Sequence, residues 1–102
     1  MIADILDRVA ADFGLDTSDL LGRARPAAIV RARHTAALLL RLDAHLSYPA
    51  IGRALGGRDH STAHTAVQRM HGLCMDSPAY RERVARLRGV DPGLARVPRE
   101  IL

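Results

Sequence analysis

The chain contains no lysine, and it is poor in aromatic residues and cysteine. All 15 of its basic residues are arginine, in a chain of 102 residues. Without lysine it can form neither a Walker-type phosphate loop nor a Schiff base, because both need that side chain. Aromatic residues make up 3%, so the core must consist mainly of Leu, Ile, Val, Ala and Met. The single cysteine, Cys74, cannot form an internal disulfide and is expected in the core of a cytoplasmic protein.

Long hydrophobic runs and targeting signals are also missing. No apolar stretch approaches the about 18 residues that a transmembrane helix needs. The start MIADILDRVAADF carries acidic residues where a signal peptide is basic. We therefore expect no membrane contact and a location in the cytoplasm. With hydrophobic residues at 48%, residues 1–102 are expected to form a single globular domain.

Charge is unevenly distributed along the chain, whose formal net charge is +4. Residues 1–21 contain five aspartates and one arginine, for a net charge of −4. Residues 22–102 contain fourteen arginines and six acidic residues, for a net charge of +8. A GC-rich coding bias accounts for arginine in place of lysine, so the positions of the arginines are more informative than their number. The asymmetry predicts that one face of the protein meets a polyanion.

Hydrophobic periodicity and capping residues predict an all-α bundle of five or six helices. The predicted segments are a helix over residues 2–13 ended by Gly14, a short turn capped by Thr17 or Ser18, a long helix from Ala27 to about Leu46, a short helix from about Tyr48 to Leu55 capped by Ser47, a helix from about His60 to Leu73 capped by Asp59, and a last helix from Ala79 to Arg88. The tail, residues 89–102, is predicted to be loose or packed as a short turn.

Two of these helices, joined by a turn that contains two glycines, form a helix-turn-helix candidate over residues 48–73. In such a motif the N-terminal residues of the second helix meet base edges in the major groove of DNA. The candidate contacts at this end are Arg58, Asp59, His60, Ser61 and Thr62. Asp can accept a hydrogen bond from a cytosine amine, and His and Ser can form hydrogen bonds with base edges. The N-terminus of a helix can also bind a phosphate. An aspartate facing DNA is reasonable only where it caps the helix, pairs with Arg58 or meets a cytosine.

A basic loop, GRARP, precedes the long helix and supplies a second group of candidates. Residues just before a proline avoid helical backbone, and an arginine loop can reach a narrow minor groove, where the negative potential is strongest. The candidates are Arg23 and Arg25 in the loop and Arg31, Arg33 and His34 at the start of the long helix. Each of these arginines and the histidine, taken alone, is also compatible with a solvated surface residue. The helix pair is likewise compatible with an ordinary turn inside a helical bundle. Their convergence on one stretch favours a nucleic-acid contact.

Enzymatic and metal-dependent functions have little support in the sequence. His60 and His64 are four residues apart and could bind a metal on one helix face, but they lack the intervening glutamate of a zinc protease. One cysteine with scattered histidines gives no nucleophile–base pair. We therefore predict a protein that is not an enzyme and that needs no metal or cofactor.

The string GGRDHSTAHTA resembles the signature GGRDHTTVLHA of the C-terminal DNA-binding domain of the bacterial replication initiator DnaA. The resemblance extends to three further segments. The opening helix and basic loop of that family are similar to VAADFGLDTSDLLGRAR, its long helix to IVRARHTAALLLR, and its helix-turn-helix to LSYPAIGRALGGRDHST. These segments follow one another in the family's order, from about residue 5 to residue 73. The resemblance implies a Trp-repressor-like helical fold. It also implies sequence-specific binding of double-stranded DNA at DnaA-box-like sites, in the control of replication initiation.

The resemblance also implies roles for single residues. By position, Arg25 enters the minor groove, and Arg33 and His34 correspond to contacts at the start of the long helix. In the second helix of the helix-turn-helix, the base-reading positions correspond to Asp59, His60 and Ser61, and a phosphate contact corresponds to Thr62. Several positions depart from the family. His34 stands where the family usually has Gln, Ser61 where it has Thr, and Ala63, His64 and Thr65 where it has Val, Leu and His.

The family places this domain after an ATPase domain, which the 102 residues do not contain. The start at Met1 favours a stand-alone relative over an excised domain. Such a relative could occupy boxes, compete with the initiator or regulate transcription. The alternative function is a protein-interaction regulator of replication initiation, which would bind DnaA or its regulatory ATPase, with the acidic first helix as the partner surface, rather than read DNA.

Overall fold

A computed structural model of the chain describes residues 1–91 and 97–102, and over these ranges the protein is all-helical, as predicted. The elements are α1 (Ile2–Asp12), α2 (Thr17–Leu21), α3 (Ala27–Leu42), α4 (Tyr48–Ala54), α5 (His60–Asp76), α6 (Pro78–Arg88) and a 3₁₀ turn at Arg99–Ile101. Helices α4 and α5 form the helix-turn-helix pair. None of the described helices combines the length and apolarity needed to cross a bilayer.

Helix α3 lies at the centre of the bundle. It packs against each of the other five α-helices, and nine of its sixteen residues are buried. Most of these are Ala and Leu, so small side chains allow close approach while large ones fill the space between helices. Leu38 and Leu39 are fully buried, as are Val9 of α1 and Val67 of α5. Each such side chain contributes about 1.5–3 kcal/mol relative to an exposed one.

Two helices end three or more residues away from the predicted position. Helix α3 ends at Leu42 rather than near Leu46, because His45 takes left-handed backbone with a φ of 55°, which cannot continue a right-handed helix. Helix α5 continues to Asp76 rather than ending near Leu73. The helix-turn-helix pair is therefore slightly longer than the predicted segment.

The predicted caps of α4 and α5 are confirmed. Ser47 Oγ and Asp59 Oδ1 each accept a hydrogen bond from the backbone N–H three residues further on, over 3.3 and 2.8 Å. Such bonds satisfy N–H groups that a helix leaves unpaired at its start. The prediction for α2 is wrong, because its N-cap is Asp16 rather than Thr17 or Ser18.

Glycines allow the turn between α4 and α5 to pack closely. The Gly52 carbonyl accepts from the backbone N–H groups of Gly57 and Arg58 over 3.1 and 2.8 Å. A Cβ at Gly52 would lie 2.0 Å from the Arg58 carbonyl oxygen, so a side chain there requires the turn to move. Gly56 has a φ of 81°, and a Cβ there would lie 2.1 Å from the Leu21 carbonyl oxygen. The turn is therefore seated directly on the end of α2.

The end of the tail is packed rather than loose. Val97, Ile101 and Leu102 are partly buried against the core, and the 3₁₀ turn there confirms the short-turn alternative. The part of the prediction that concerns residues 92–96 lies outside the described residues.

The close approach at Gly52 predicts the effect of adding one methyl group. We expect Gly52→Ala to lower the free energy of unfolding by about 1–3 kcal/mol, the range for overpacked sites, as measured by urea denaturation. Gly72→Ala is the matched control, because a Cβ at Gly72 in α5 meets nothing within 4 Å. Alanine also favours helix over glycine by about 0.5–1 kcal/mol. An equal loss of stability in both variants would contradict the close approach.

Candidate nucleic-acid interface

Arg33 is buried at the start of α3, with 6% of its surface exposed. Its Nε donates to the Leu20 carbonyl over 2.8 Å. Its Nη2 donates to the carbonyls of Asp19, Gly22 and Ala24 over 3.1 to 3.2 Å. These carbonyls belong to the end of the five-residue helix α2 and to the basic loop, and the last carbonyls of a helix have no N–H partner within it. Arg33 therefore fixes the basic loop onto α3.

This position differs from the one that the sequence predicts for Arg33. The sequence predicts an exposed DNA contact, whereas the structure turns the guanidinium toward the interior. The physical reason is that the carbonyls of α2 and the loop need donors, and one guanidinium can serve several of them at once. A contact between Arg33 and DNA stays a prediction, and its observed bonds are structural.

Arg58 connects the same loop to the helix-turn-helix. Its Nη2 donates to the Gly22 carbonyl over 2.5 Å, and its Nη1 donates to the Leu55 carbonyl. Burial lowers the pKa of Arg58, and the charges of Arg33 and Arg23 lower it further. Since an arginine stays protonated in proteins in spite of such shifts, the result is a charged, partly desolvated cation between loop and turn.

The first three residues of α5 are exposed to solvent, and an ordered cap precedes them. Asp59 Oδ1 accepts from the Thr62 backbone N–H over 2.8 Å and from Ser61 Oγ over 3.0 Å. The backbone bond from Thr62 comes first among the causes that lower the pKa of Asp59, followed by side-chain bonds from Thr62 and Ser61. Of the three explanations that the sequence leaves open for this aspartate, capping is the one observed. His60 follows it on the exposed surface.

Two adjoining clefts, of about 160 and 240 Å³, separate the start of α3 from the first turns of α5. The polar residues that line them are Arg33, His34, Arg58, Ser61, Thr62, Thr65 and Arg69. Five of these seven are residues that the sequence predicts as DNA contacts. The structure therefore brings candidates from α3, the turn and α5 to one place.

Two residues that line these clefts, Thr65 and Arg69, are not predicted as DNA contacts from the sequence. On α5, Thr65 follows Ser61 by four residues and Arg69 follows it by eight, so helical periodicity alone could have placed the three on one face. Arg31, in contrast, is predicted as a DNA contact but does not line either cleft. It is exposed, but its charge acts on the phenol of Tyr80 in α6, so the structure does not bring it to the cleft.

Positive charge at the cleft continues into the basic loop. Arg23 and Arg25 are exposed there, and the charge of Arg23 lowers the pKa of Arg33 after the larger effect of burial. We call the following set the basic surface: Arg23, Arg25, His34, Arg58, Asp59, His60, Ser61, Thr62, Thr65 and Arg69. The ion pairs found among the described residues join α6 to α1 and to the turn after α3. None of them neutralises an arginine of the basic surface.

The two histidines considered as metal ligands face different surroundings. His60 is exposed, whereas His64 packs edge-on against Tyr48, with ring centroids 4.8 Å apart and an interplanar angle of 81°. Across residues 1–91 and 97–102, no group of three or more His, Cys, Asp or Glu side chains could hold a metal ion.

The half-buried His34 predicts a pH dependence of stability. Burial lowers its pKa below 6.5, and the charges of Arg69, Arg33 and Arg58 lower it further. As the pH falls through 6.5 the unfolded chain therefore binds this proton before the folded protein does, so acid destabilises the fold.

We expect the unfolding free energy of the wild type to decrease, relative to that of His34→Gln, as the pH is lowered between about pH 8 and pH 5. Glutamine keeps a polar side chain without a titrating group. Urea denaturation at each pH measures the difference, and a difference that stays constant over this range would contradict the assignment.

Comparison with known proteins identifies the family. The chain matches the family model described as bacterial dnaA protein helix-turn-helix over residues 2–70. It is 39% identical over 87 residues to the chromosomal replication initiator protein DnaA of Rhodopseudomonas palustris (strain BisA53), covering 85% of this chain and 18% of that relative. For DnaA of Oenococcus oeni (strain ATCC BAA-331 / PSU-1), identity is 35% over 86 residues, 84% of this chain and 19% of the relative. The chain thus spans less than a fifth of these relatives, and it belongs to the family of bacterial DnaA helix-turn-helix domains.

Proposed function

We propose that residues 1–102 form a sequence-specific DNA-binding domain that recognises double-stranded DnaA-box-like sites. The observation that carries the proposal is the basic surface itself. Arg33 of α3, Arg58 of the turn and Arg69 of α5 line the two adjoining clefts, and the charge of Arg23 in the basic loop acts on Arg33 and Arg58. The ion pairs found among the described residues involve none of these arginines. A surface of this kind attracts the phosphate backbone of a duplex.

Base reading is assigned to the exposed start of α5. In a helix-turn-helix this end enters the major groove. His60 and Ser61 are exposed there and can bond base edges. Asp59 uses Oδ1 for the cap, and we assign its other carboxylate oxygen to a cytosine amine. Thr62, beside the N–H groups of the first turn, holds a phosphate.

The basic loop is assigned to the minor groove. Its carbonyls are held by Arg33 and Arg58, so the loop keeps a fixed position relative to the turn before α5. Arg25 is exposed at this loop, and a narrow minor groove attracts an inserted arginine. Arg23, His34 and Arg69 are assigned to phosphates on either side of the two grooves.

The replication setting of the proposal comes from the relatives, which are chromosomal replication initiators. We propose that the chain acts in the control of replication initiation by occupying box-like sites at the nucleoid. The interaction with DnaA or its regulatory ATPase stays a prediction, because no contact of the described residues favours it.

The proposal is tested by titrating the wild type with a DnaA-box duplex and with a scrambled duplex of equal length. Specific complexes commonly bind at least about a thousandfold more tightly than non-specific ones, so a clear preference for the box is expected. Both titrations are repeated at several salt concentrations, because phosphate contacts make affinity salt-dependent. Equal affinity for both duplexes at every salt concentration would rule out sequence-specific reading.

Single substitutions test the assignment of residues. We expect Arg25→Ala and His60→Ala each to weaken binding to the box by about 1–3 kcal/mol, because each removes a proposed groove contact. Arg86→Ala is the matched control for loss of one positive charge. Arg86 is exposed on α6, beside α1, outside the basic surface. If all three variants bind the box equally well, the proposed docking geometry is wrong.

A further inference from the structure

The C-terminal segment, residues 97–102, lies beyond the family match, which ends at residue 70. We call this segment the C-terminal strap. Its backbone carbonyls accept hydrogen bonds from three different helices, with donors in Arg41 of α3 and Tyr48 of α4 and a ring nitrogen of His71 of α5. A segment that contacts both helices of the helix-turn-helix can influence how they are arranged.

Tyr48 is the residue at which these elements meet. It is the first residue of α4, and its hydroxyl donates to the Ile101 carbonyl over 2.8 Å and to the Leu102 carbonyl over 3.2 Å. Its ring contacts His64 of α5 edge-on at 4.8 Å. The guanidinium carbon of Arg41 lies 4.4 Å from the ring centroid, a distance typical of a cation–π contact.

Arg41 completes the connection from the side of α3. Its Nε donates to the Ile101 carbonyl over 2.7 Å, and its Nη1 donates to the Leu46 carbonyl, just before α4, over 2.8 Å. His71 Nε2 lies 3.0 Å from the Val97 carbonyl oxygen at the other end of the strap. The strap is therefore tied to the bundle at both ends.

Helix α4 depends on such contacts because it is short. It has seven residues, and a helix of that length is unstable on its own in water. Its C-terminal end is fixed by the Gly52 carbonyl, which accepts from the turn. Its N-terminal end is fixed by the Ser47 cap and, through Tyr48, by the strap.

We propose that the C-terminal strap positions the helix-turn-helix, with Tyr48 and Arg41 as positioning residues. The strap sets the angle at which α4 crosses α5, and through His64 it supports the second turn of α5. In a helix-turn-helix the first helix crosses the DNA backbone while the second reads bases, so this angle sets the register of reading. The effect on DNA rests on the proposed function, whereas the effect on α4 does not.

Tyr48→Phe removes the hydroxyl that contacts the strap and keeps the ring against His64 and Arg41. Tyr80→Phe is the matched control, because it removes a hydroxyl of α6 that does not touch the strap. That hydroxyl lies 2.6 Å from Thr35 Oγ1 of α3 and 3.2 Å from Met70 Sδ of α5. We expect Tyr48→Phe, but not Tyr80→Phe, to speed hydrogen exchange at the amides of Ile51 and Leu55 by about fivefold, the worth of one hydrogen bond. Unchanged exchange in α4, or the same change in both variants, would overturn the proposal.

DNA binding provides the second readout. We expect Tyr48→Phe to lower the ratio of box to scrambled affinity by about fivefold while leaving scrambled affinity unchanged, because the phosphate-binding arginines are intact. Tyr80→Phe should leave the ratio unchanged. If the wild type itself shows no box preference, the proposed function fails, while faster exchange in α4 still supports the strap. If the wild type prefers the box and Tyr48→Phe keeps the full ratio, the positioning role is wrong.

Discussion

The basic surface depends on one interaction, the hydrogen bonding of the buried Arg33 guanidinium to backbone carbonyls of α2 and the basic loop. Helix α2 has five residues, so its last carbonyls need partners from elsewhere, and each one left unpaired in the interior would cost about 1–3 kcal/mol. A guanidinium suits this task because its donors form a rigid fork, whereas an ammonium group is a compact point charge. Arg33 thereby turns a short helix and an irregular loop into a fixed support for Arg23 and Arg25.

The same arrangement gathers positive charge without carboxylate partners among the described residues. Burial, and then the repulsion of neighbouring arginines, lowers the pKa values of Arg33, Arg58 and His34. The folded protein therefore holds cations closer together than the free chain would. An anion bound in the cleft would relieve that repulsion, so the feature that weakens the isolated fold would strengthen a complex with phosphate. At this surface, the clustering of positive charge lowers the stability of the free protein and raises its affinity for anions.

The sequence predicts those parts of the structure that depend on neighbours along the chain. The Asp59 cap is local, because its oxygen meets an N–H three residues away, and the helices follow from periodicity. The burial of Arg33 is not predicted, because residue type favours the surface. Yet Arg33 lies three residues before Ala36 and seven before Leu40, the spacing of a core stripe. The carbonyls it meets, and the packing of residues 97–102, depend on tertiary contacts that no local pattern contains.

Packing also explains the segment AHTA, where the chain departs from the DnaA signature. Ala63 is 3% exposed in the core, and His64 packs against Tyr48. Of the three departures only Thr65 is exposed, and it lines the cleft beside Arg69. Two of the three changes therefore alter how α5 rests on its neighbours rather than what its surface presents. At the interior positions the side chain acts through packing, as the contact of His64 with Tyr48 does between α5 and α4, whereas Thr65 acts at the surface of the cleft.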